Sequence, residues 1–456
     1  MGAGGEGKAA RGRRSGSERN ECRLSDAENV GAATITPWGN ASELRERRLY
    51  PGAGTAPEEV ARNQRERLFA AAVAVASEKG YEAMTVADLL ELSGVSRSAF
   101  YVHFADKAEC LTAAASELLE PALATLAPAT ENGARREPGK VFAAFLELLA
   151  SQPAAARVCF VELHAAGAAG EALAERAFAA LAARVAELNA GRPREQQICP
   201  ELLPVLLAGL RKLIHSRLTR GEQAELAGLA PQLWQWLASV AAPPGRLAVP
   251  RRQRGAAGPR FQGYTPAERI ARAVAVVVAE KGYGAMSTDD IAAAAAVSLS
   301  TFYEHFADKR DAVLGALEMG GAQISALAVP AARRAGDWQL GVRALYEAIC
   351  HYFVAEPEMA ELALLGVYGA GPRALGRRDR VIDSLAAMLA PGIEENPEAP
   401  AVSAEAIAAT VYALLREQLR NAGPESLGAA VPLATYLTLV TFVGPERALA
   451  IANGKG

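Results

Sequence analysis

Histidine, cysteine and aromatic residues are scarce in this 456-residue chain: it holds five His and five Cys, and Phe, Trp and Tyr together make up 6%. The cysteines (Cys22, Cys110, Cys159, Cys199 and Cys350) are odd in number and scattered, with no CxxC pair. That argues against a disulfide framework and a thiolate zinc site, and fits a reducing compartment. The histidines show no HxxxH or HExxH spacing, so no metal or other cofactor is expected. An excess of one charge is also lacking: 48 Lys and Arg stand against 51 Asp and Glu, for a net charge of −3. No global basic field announces nucleic acid, so any such contact must come from local placement. The opening stretch MGAGGEGKAARGRRSGSERNE has charge but no apolar core, unlike a signal peptide. The longest uncharged run, residues 426–445, contains Pro432, Pro445 and four Ser or Thr side chains. It reads as a buried helix rather than a membrane span. No Ser–His–Asp, Cys–His or paired-carboxylate constellation is spaced for catalysis. These absences predict a cytoplasmic protein that is not an enzyme and has no membrane partner.

What the chain does have is a repeat. EKGYEAM at 78–84 recurs as EKGYGAM at 280–286, and FYVHFADK at 100–107 recurs as FYEHFADK at 302–309. The register holds without a gap between residues 66–111 and 268–313, where 21 of 46 positions are identical. The matches include Lys, Tyr, Met, Phe, His and Asp, so shared Ala-richness does not explain them. This is a tandem duplication rather than a many-copy array. Residues 1–57, rich in Gly, Ser, Arg and Glu without periodicity, read as a mostly flexible arm. Residues 241–263 carry five Arg, no acid and repeated prolines, and read as a basic linker. Strand-like alternation is nearly absent, which predicts an all-α fold.

Within the first repeat, Pro57 opens a helix with acids in its first turn, and Lys79-Gly80 closes it. Thr85 caps a second short helix over 86–92, with Asp88 placed to favour the helix dipole. Residues 93–96 (Ser-Gly-Val-Ser) form a tight turn, and Ser96 caps a third helix to about His103. Asp106 caps a fourth helix from Lys107. Two short helices joined by a Gly-containing turn make a helix-turn-helix. On the third helix Phe100 and Phe104 point inward at i, i+4. The opposite face presents Ser98, Ala99, Tyr101 and Val102, flanked by Arg97 and His103. Small side chains admit such a helix to a major groove, and Arg97 can bond guanine or phosphate. Tyr101, His103 and Lys107 are expected to face phosphate oxygens, and Thr85 and Ser96 join them among the candidate DNA-binding residues. In the second repeat the matching positions are Ser298, Ser300, Thr301, Tyr303, His305 and Lys309. There Gly94 becomes Ala296, Arg97 becomes Leu299 and Val102 becomes Glu304. The second face thus loses a cation and gains acid, so weaker or different DNA reading is expected of it.

The segment NQRERLFAAAVAVASEKGYEAMTVADLLELSGVSRSAFYVHFADKAECL resembles the DNA-binding domain of the tetracycline-repressor (TetR) family. TPAERIARAVAVVVAEKGYGAMSTDDIAAAAAVSLSTFYEHFADKRDAVL resembles a second one. The resemblance covers about a hundred residues and implies a transcriptional regulator, most often a ligand-responsive repressor. Its partners would be double-stranded operator DNA and a small-molecule effector. It also implies that each DNA-binding domain (58–112 and 264–314) is followed by a helical regulatory and dimerisation domain (113–240 and 315–456). Members of the family normally carry one copy and dimerise, whereas this chain carries two. The fourth helix of each copy would couple ligand binding to the spacing of paired readers.

Pro153 and Pro357 interrupt helical runs at similar distances after each reader. Candidate effector-lining groups are Phe142, Phe145, Phe160 and His164 in copy one, and Tyr346, Tyr352, Phe353 and Tyr368 in copy two. The last two helical segments of each copy have apolar stripes suited to a four-helix interface. That interface could form within one chain, as an intramolecular pseudo-dimer, or between two chains, as a homodimer. An alternative keeps the same fold but makes copy two a built-in dimerisation or sensing module that does not read DNA.

Overall fold

The computed structural model describes residues 34–50, 55–126, 130–131, 134–135, 137–248, 250 and 263–455. The expected DNA reader of the first copy, here reader one, consists of α1 (Pro57–Lys79), α2 (Val86–Ser93) and α3 (Arg97–His103), with α4 (Lys107–Thr125) leading out. The first regulatory half continues through α5 (Pro138–Ser151), α6 (Pro153–Phe160), α7 (Gly167–Ala190), α8 (Leu203–Thr219) and α9 (Leu226–Ser239). The second reader is α10 (Pro266–Ala285), α11 (Thr288–Ala295) and α12 (Leu299–His305), followed by α13 (Lys309–Arg334). Its regulatory half adds α14 (Trp338–Ala355), α15 (Pro357–Leu364), α16 (Pro372–Ala387), α17 (Ala390–Glu395), α18 (Ser403–Ala422), α19 (Val431–Val443) and α20 (Pro445–Ala452). The all-α expectation holds. The exceptions among the described residues are two tiny antiparallel hairpins, Ile35–Thr36 with Gly39–Asn40 and Thr130–Glu131 with Ala134–Arg135.

The chain divides at Ala114/Ala115 into two compact units. The first holds reader one. The second holds both regulatory halves and reader two, whose α10 packs on α15 of its own copy.

The expected flexible arm needs correction where it is described. Residues 34–50 fold onto reader one: Ala41 and Leu44 are buried, and the Trp38 ring lies 5.4 Å from that of Phe69. Arg45 donates through Nε to the Glu91 carbonyl at 2.7 Å, which covers the end of α2. The periodicity that marks a helix cannot reveal this packing, because it rests on a hairpin and single anchoring side chains. The rest of the arm, 1–33 and 51–54, lies outside the described residues, as do 249 and 251–262 of the linker. Linker residues 241–248 are tied to copy two: Tyr436 Oη donates to the Ala241 carbonyl at 2.9 Å, and Ala248 N donates to Asn453 Oδ1 at 2.7 Å.

In the second unit the two regulatory halves close on each other within one chain. Helix α8 of copy one crosses α18 of copy two. At the crossing, a Cβ added to Gly209 would lie 2.7 Å from Thr410 Cα and closer still to its hydroxyl. Only glycine permits that approach. The interface is less even than four equivalent helices would make it. Helix α9 lies mainly on α5, touching α18 lightly, and α19 is packed by α14 and α20. The uncharged run at 426–445 is accordingly core: α19 is buried along eleven of its thirteen residues.

Candidate nucleic-acid interface and effector pockets

Each reader is assembled from local signals. Thr85 caps α2 and forms a capping box with Asp88, and Ser287 does the same for α11 with Asp290. Reciprocal bonds of this kind satisfy two orphan N–H groups at a helix start. Asp88 is further held by Lys79 at 2.7 Å, which keeps its carboxyl below the usual range although burial works against this. Asp290 is bound by Lys281 at 2.5 Å and pushed down to about 2. The acid at this position therefore serves the helix start in both copies. Of the Asp289-Asp290 pair in copy two, Asp289 is the exposed one.

The turn is the main backbone difference. Gly94 ends α2 in the left-handed region (φ 66°, ψ 18°), and Ala296 is forced into the same region (φ 52°, ψ 48°). Ala296 is the one non-glycine residue with positive φ among the described residues, a strain of about 1 kcal/mol. An arginine secures the end of the preceding helix in each copy. Arg67 donates to the Ser93 carbonyl at 3.0 Å, and Arg269 to the Ala295 carbonyl at 2.6 Å. Sequence reasoning passed over this pair, although the arginine recurs at the same offset as the rest of the repeat.

Ser96 and Ser298 cap α3 and α12 by accepting from Ala99 N and Thr301 N. Phe100 and Phe302 are fully buried, with Tyr101 and Tyr303 edge-on to them at 5.3 Å in both copies. Burying one Phe contributes about 1.5–3 kcal/mol, enough to fix which face of a seven-residue helix looks outward. On α3 that outward face carries Arg97, Ser98, Tyr101 (52% exposed) and Val102 (82% exposed), with Ala99 half-buried at its edge. Arg97 has no hydrogen-bond or ionic partner among the described residues. On α12 the face carries Leu299, Ser300, Tyr303, Glu304 and His305. Thr301 is half-buried, its hydroxyl 3.0 Å from that of Ser298.

Three expected phosphate-facing groups are placed differently. Lys107 does not reach outward: its ammonium donates to the carbonyls of Tyr81 (2.9 Å), Glu82 (3.2 Å) and Met84 (2.8 Å). An ammonium has three N–H donors, so all are used. Lys309 likewise donates to Tyr283 and Met286 carbonyls. Lys107 pins the turn after α1 and Lys309 the end of α10 beyond its break at Gly282, and burial lowers the Lys107 pKa. His103 is half-buried and shares a 2.9 Å hydrogen bond with Gln64, its pKa lowered by burial and by Arg65. His305 is exposed, because Pro266 stands where a glutamine would reach it.

The regulatory halves each contain a cavity. In copy one it spans about 810 Å³, counting the space open to solvent, and is lined by Phe142, Phe145, Phe160 and Trp234. In copy two it spans about 1140 Å³ on the same measure and is lined by Tyr346, Phe353, Met359 and Tyr412, with Arg377 and Arg378 at its wall. Tyr352 lines neither cavity: its hydroxyl donates to Gln323 at 2.8 Å. His164 and Tyr368 meet instead at a third cavity, between the copies, with ring centroids 5.6 Å apart. Spacing along one helix could not show that these two residues, from different copies, face each other. No metal-holding group of His, Cys, Asp and Glu exists among the described residues.

Comparison with known proteins gives a family match at both readers. The family described as bacterial regulatory proteins, tetR family, matches residues 68–114 and 270–315. Among solved structures, the chain is similar to the crystal structure of PfmR, a TetR family transcriptional regulator from Thermus thermophilus. That likeness has 24% identity and a TM-score of 0.31, covering 39% of this chain and 98% of the other. No curated protein matches the chain.

Proposed function

We propose that this chain, a tandem duplication of a tetR-family transcriptional regulator, is a ligand-responsive repressor that reads operator DNA in the major groove with α3 and α12. The observation that carries this reading is the outward face of α3. It is a short helix capped by Ser96 and anchored by buried Phe100, and it leaves the unpartnered Arg97 beside small Ser98. Such a helix reaches base edges, with Arg97 positioned for guanine and Tyr101 for the backbone. Lys107 and Lys309 act as supports for the readers rather than as phosphate contacts. The effector is a small, mainly apolar molecule held in the apolar cavities of the regulatory halves.

A second reading applies to copy two alone. Leu299 and Glu304 on its outward face favour a reader with altered preference or one that serves only in pairing. Selection of bound fragments from random duplex DNA, followed by titration against salt, tests both readings. A reader neutralising several phosphates loses affinity steeply as salt rises. A salt-independent chain that enriches no sequence would remove the DNA-reading assignment.

A further inference from the structure

A third cavity, of about 430 Å³ counting the space open to solvent, lies where the two copies meet. Copy one contributes His164, Arg211, Lys212 and His215, and copy two contributes Tyr368 and Arg416 among others. Hydrogen-bond donors dominate its wall. Arg378 is 3.2 Å from His215 Nδ1, and a guanidinium can only donate. His215 Nδ1 is therefore the acceptor, and its ring proton sits on Nε2. That Nε2–H is buried, His215 being 3% exposed, and has no partner among the described residues. The same logic at His164 makes Nε2 the acceptor from Arg211 at 3.3 Å.

Arg416 Nε is also buried without a partner. Among the lining residues three cations, Arg211, Lys212 and Arg416, face one carboxylate, Glu417. Two carboxylates outside the wall, Glu175 on Arg211 at 3.1 Å and Asp379 on Lys212 at 2.7 Å, balance that count, and the positive surplus comes from two further arginines, Arg378 beside His215 and Arg420 on Glu417. Glu417 itself is engaged by Arg416 at 3.4 Å and by Arg420 at 2.6 Å. Asp379 Oδ2 is an unpartnered buried acceptor, but Asp379 is not in the wall. Orphaned donors at a buried site with surplus positive charge call for an acceptor that the chain does not supply.

We propose that this inter-copy cavity is a second ligand site, taking the carboxylate or phosphate group of a small anion that bridges Arg211 and His215 of copy one to Arg416 of copy two. The site is separate from the apolar cavities, and its occupant links α8 to α18 directly. The electrostatics agree with it. Burial and the surrounding cations hold His164 at about 3 and His215 well below its ordinary value, so both rings are neutral donor–acceptor groups. The proposal does not depend on DNA reading.

Calorimetric titration of the full chain with benzoate and, separately, with inorganic phosphate tests it. One saturable site per chain is expected for at least one probe. Arg416→Met and His215→Phe should each weaken that site at least tenfold while keeping the near-ultraviolet dichroism of the parent. Binding of benzoate alone identifies a carboxylate ligand, and of phosphate alone a phosphate-bearing one. If a variant fails to fold, nitrogen-15 spectra of the parent decide: the His215 Nε2–H signal should move on adding the bound probe. Saturation by neither probe overturns the proposal, as does binding that leaves both the variants' affinity and the His215 signal unchanged.

Discussion

Reader one and reader two share a scaffold and differ in what the scaffold displays. Both use a hydroxyl cap with a paired aspartate, a buried Phe under the outward helix, an edge-on Tyr and a lysine pinned to backbone carbonyls. The differences fall on the turn, Gly94 against Ala296, and on the face, Arg97 and Val102 against Leu299 and Glu304. Identity between repeats therefore records how the domain is built. On the third helix the two pairs that diverge most in chemistry, Arg97 with Leu299 and Val102 with Glu304, face solvent, where no packing of the domain constrains them.

The contribution of the two copies is unequal at their junction as well, and the largest effect is expected there. Copy one supplies Lys212 and copy two Asp379, both almost fully buried. Burial, then Arg378, pushes Lys212 down to about 7, outweighing the attraction of Asp379. Between about pH 7 and the unfolded value near 10.5, the unfolded chain holds a proton that the folded chain has released. Stability should therefore rise with pH from about 7 to about 9, by up to about 1 kcal/mol per unit. Denaturant melts of the parent should show that rise, and Lys212→Met should flatten it.

Next comes the comparison of the two lysines. Lys107→Met removes three charge-assisted bonds and should cost reader one about 2–3 kcal/mol in hydrogen-exchange stability. Lys309→Met removes two and should cost reader two less. If Lys107→Met instead lowered only the salt slope of DNA binding, the lysine would face phosphate after all. Arg97→Ala should cost about 1–3 kcal/mol at the selected site and relax one or two base positions. The reverse change, Leu299→Arg with Glu304→Val, should bring reader two toward the preference of reader one, as read by fragment selection.

The smallest pair concerns the turn. Gly94→Ala should destabilise reader one by about 1–2 kcal/mol, since φ is positive there and the added Cβ lies 3.1 Å from Arg45 Cγ. Ala296→Gly should stabilise reader two by about 0.5 kcal/mol, strain relief being partly offset by unfolded-chain entropy. Thermal melts of the two single variants should move in opposite directions.

Much of each reader is legible in sequence because its signals are local. Thr85 with Asp88, Gly94, Ser96 and the Phe100/Phe104 pair each act within a few residues, and the helices begin and end where those residues stand. The direction of Lys107 was not legible, because its acceptors are carbonyls more than twenty residues earlier. The same holds for the inter-copy cluster: Lys212 and Asp379 are 167 positions apart, and only the packing of α16 against α8 brings them together. Of the expected effector-lining groups, Phe142, Phe145, Phe160, Tyr346 and Phe353 do line cavities. Tyr352 lines none of them, and His164 and Tyr368 line the inter-copy cavity instead, because their partners lie on other elements.

The central claim is that one chain carries its own pseudo-dimer with two unlike readers. Native mass spectrometry of the chain on its best selected duplex measures this most directly. The account predicts one 47.7 kDa chain per duplex, on a site whose two half-sites differ in sequence. Two chains on a perfect palindrome would contradict it.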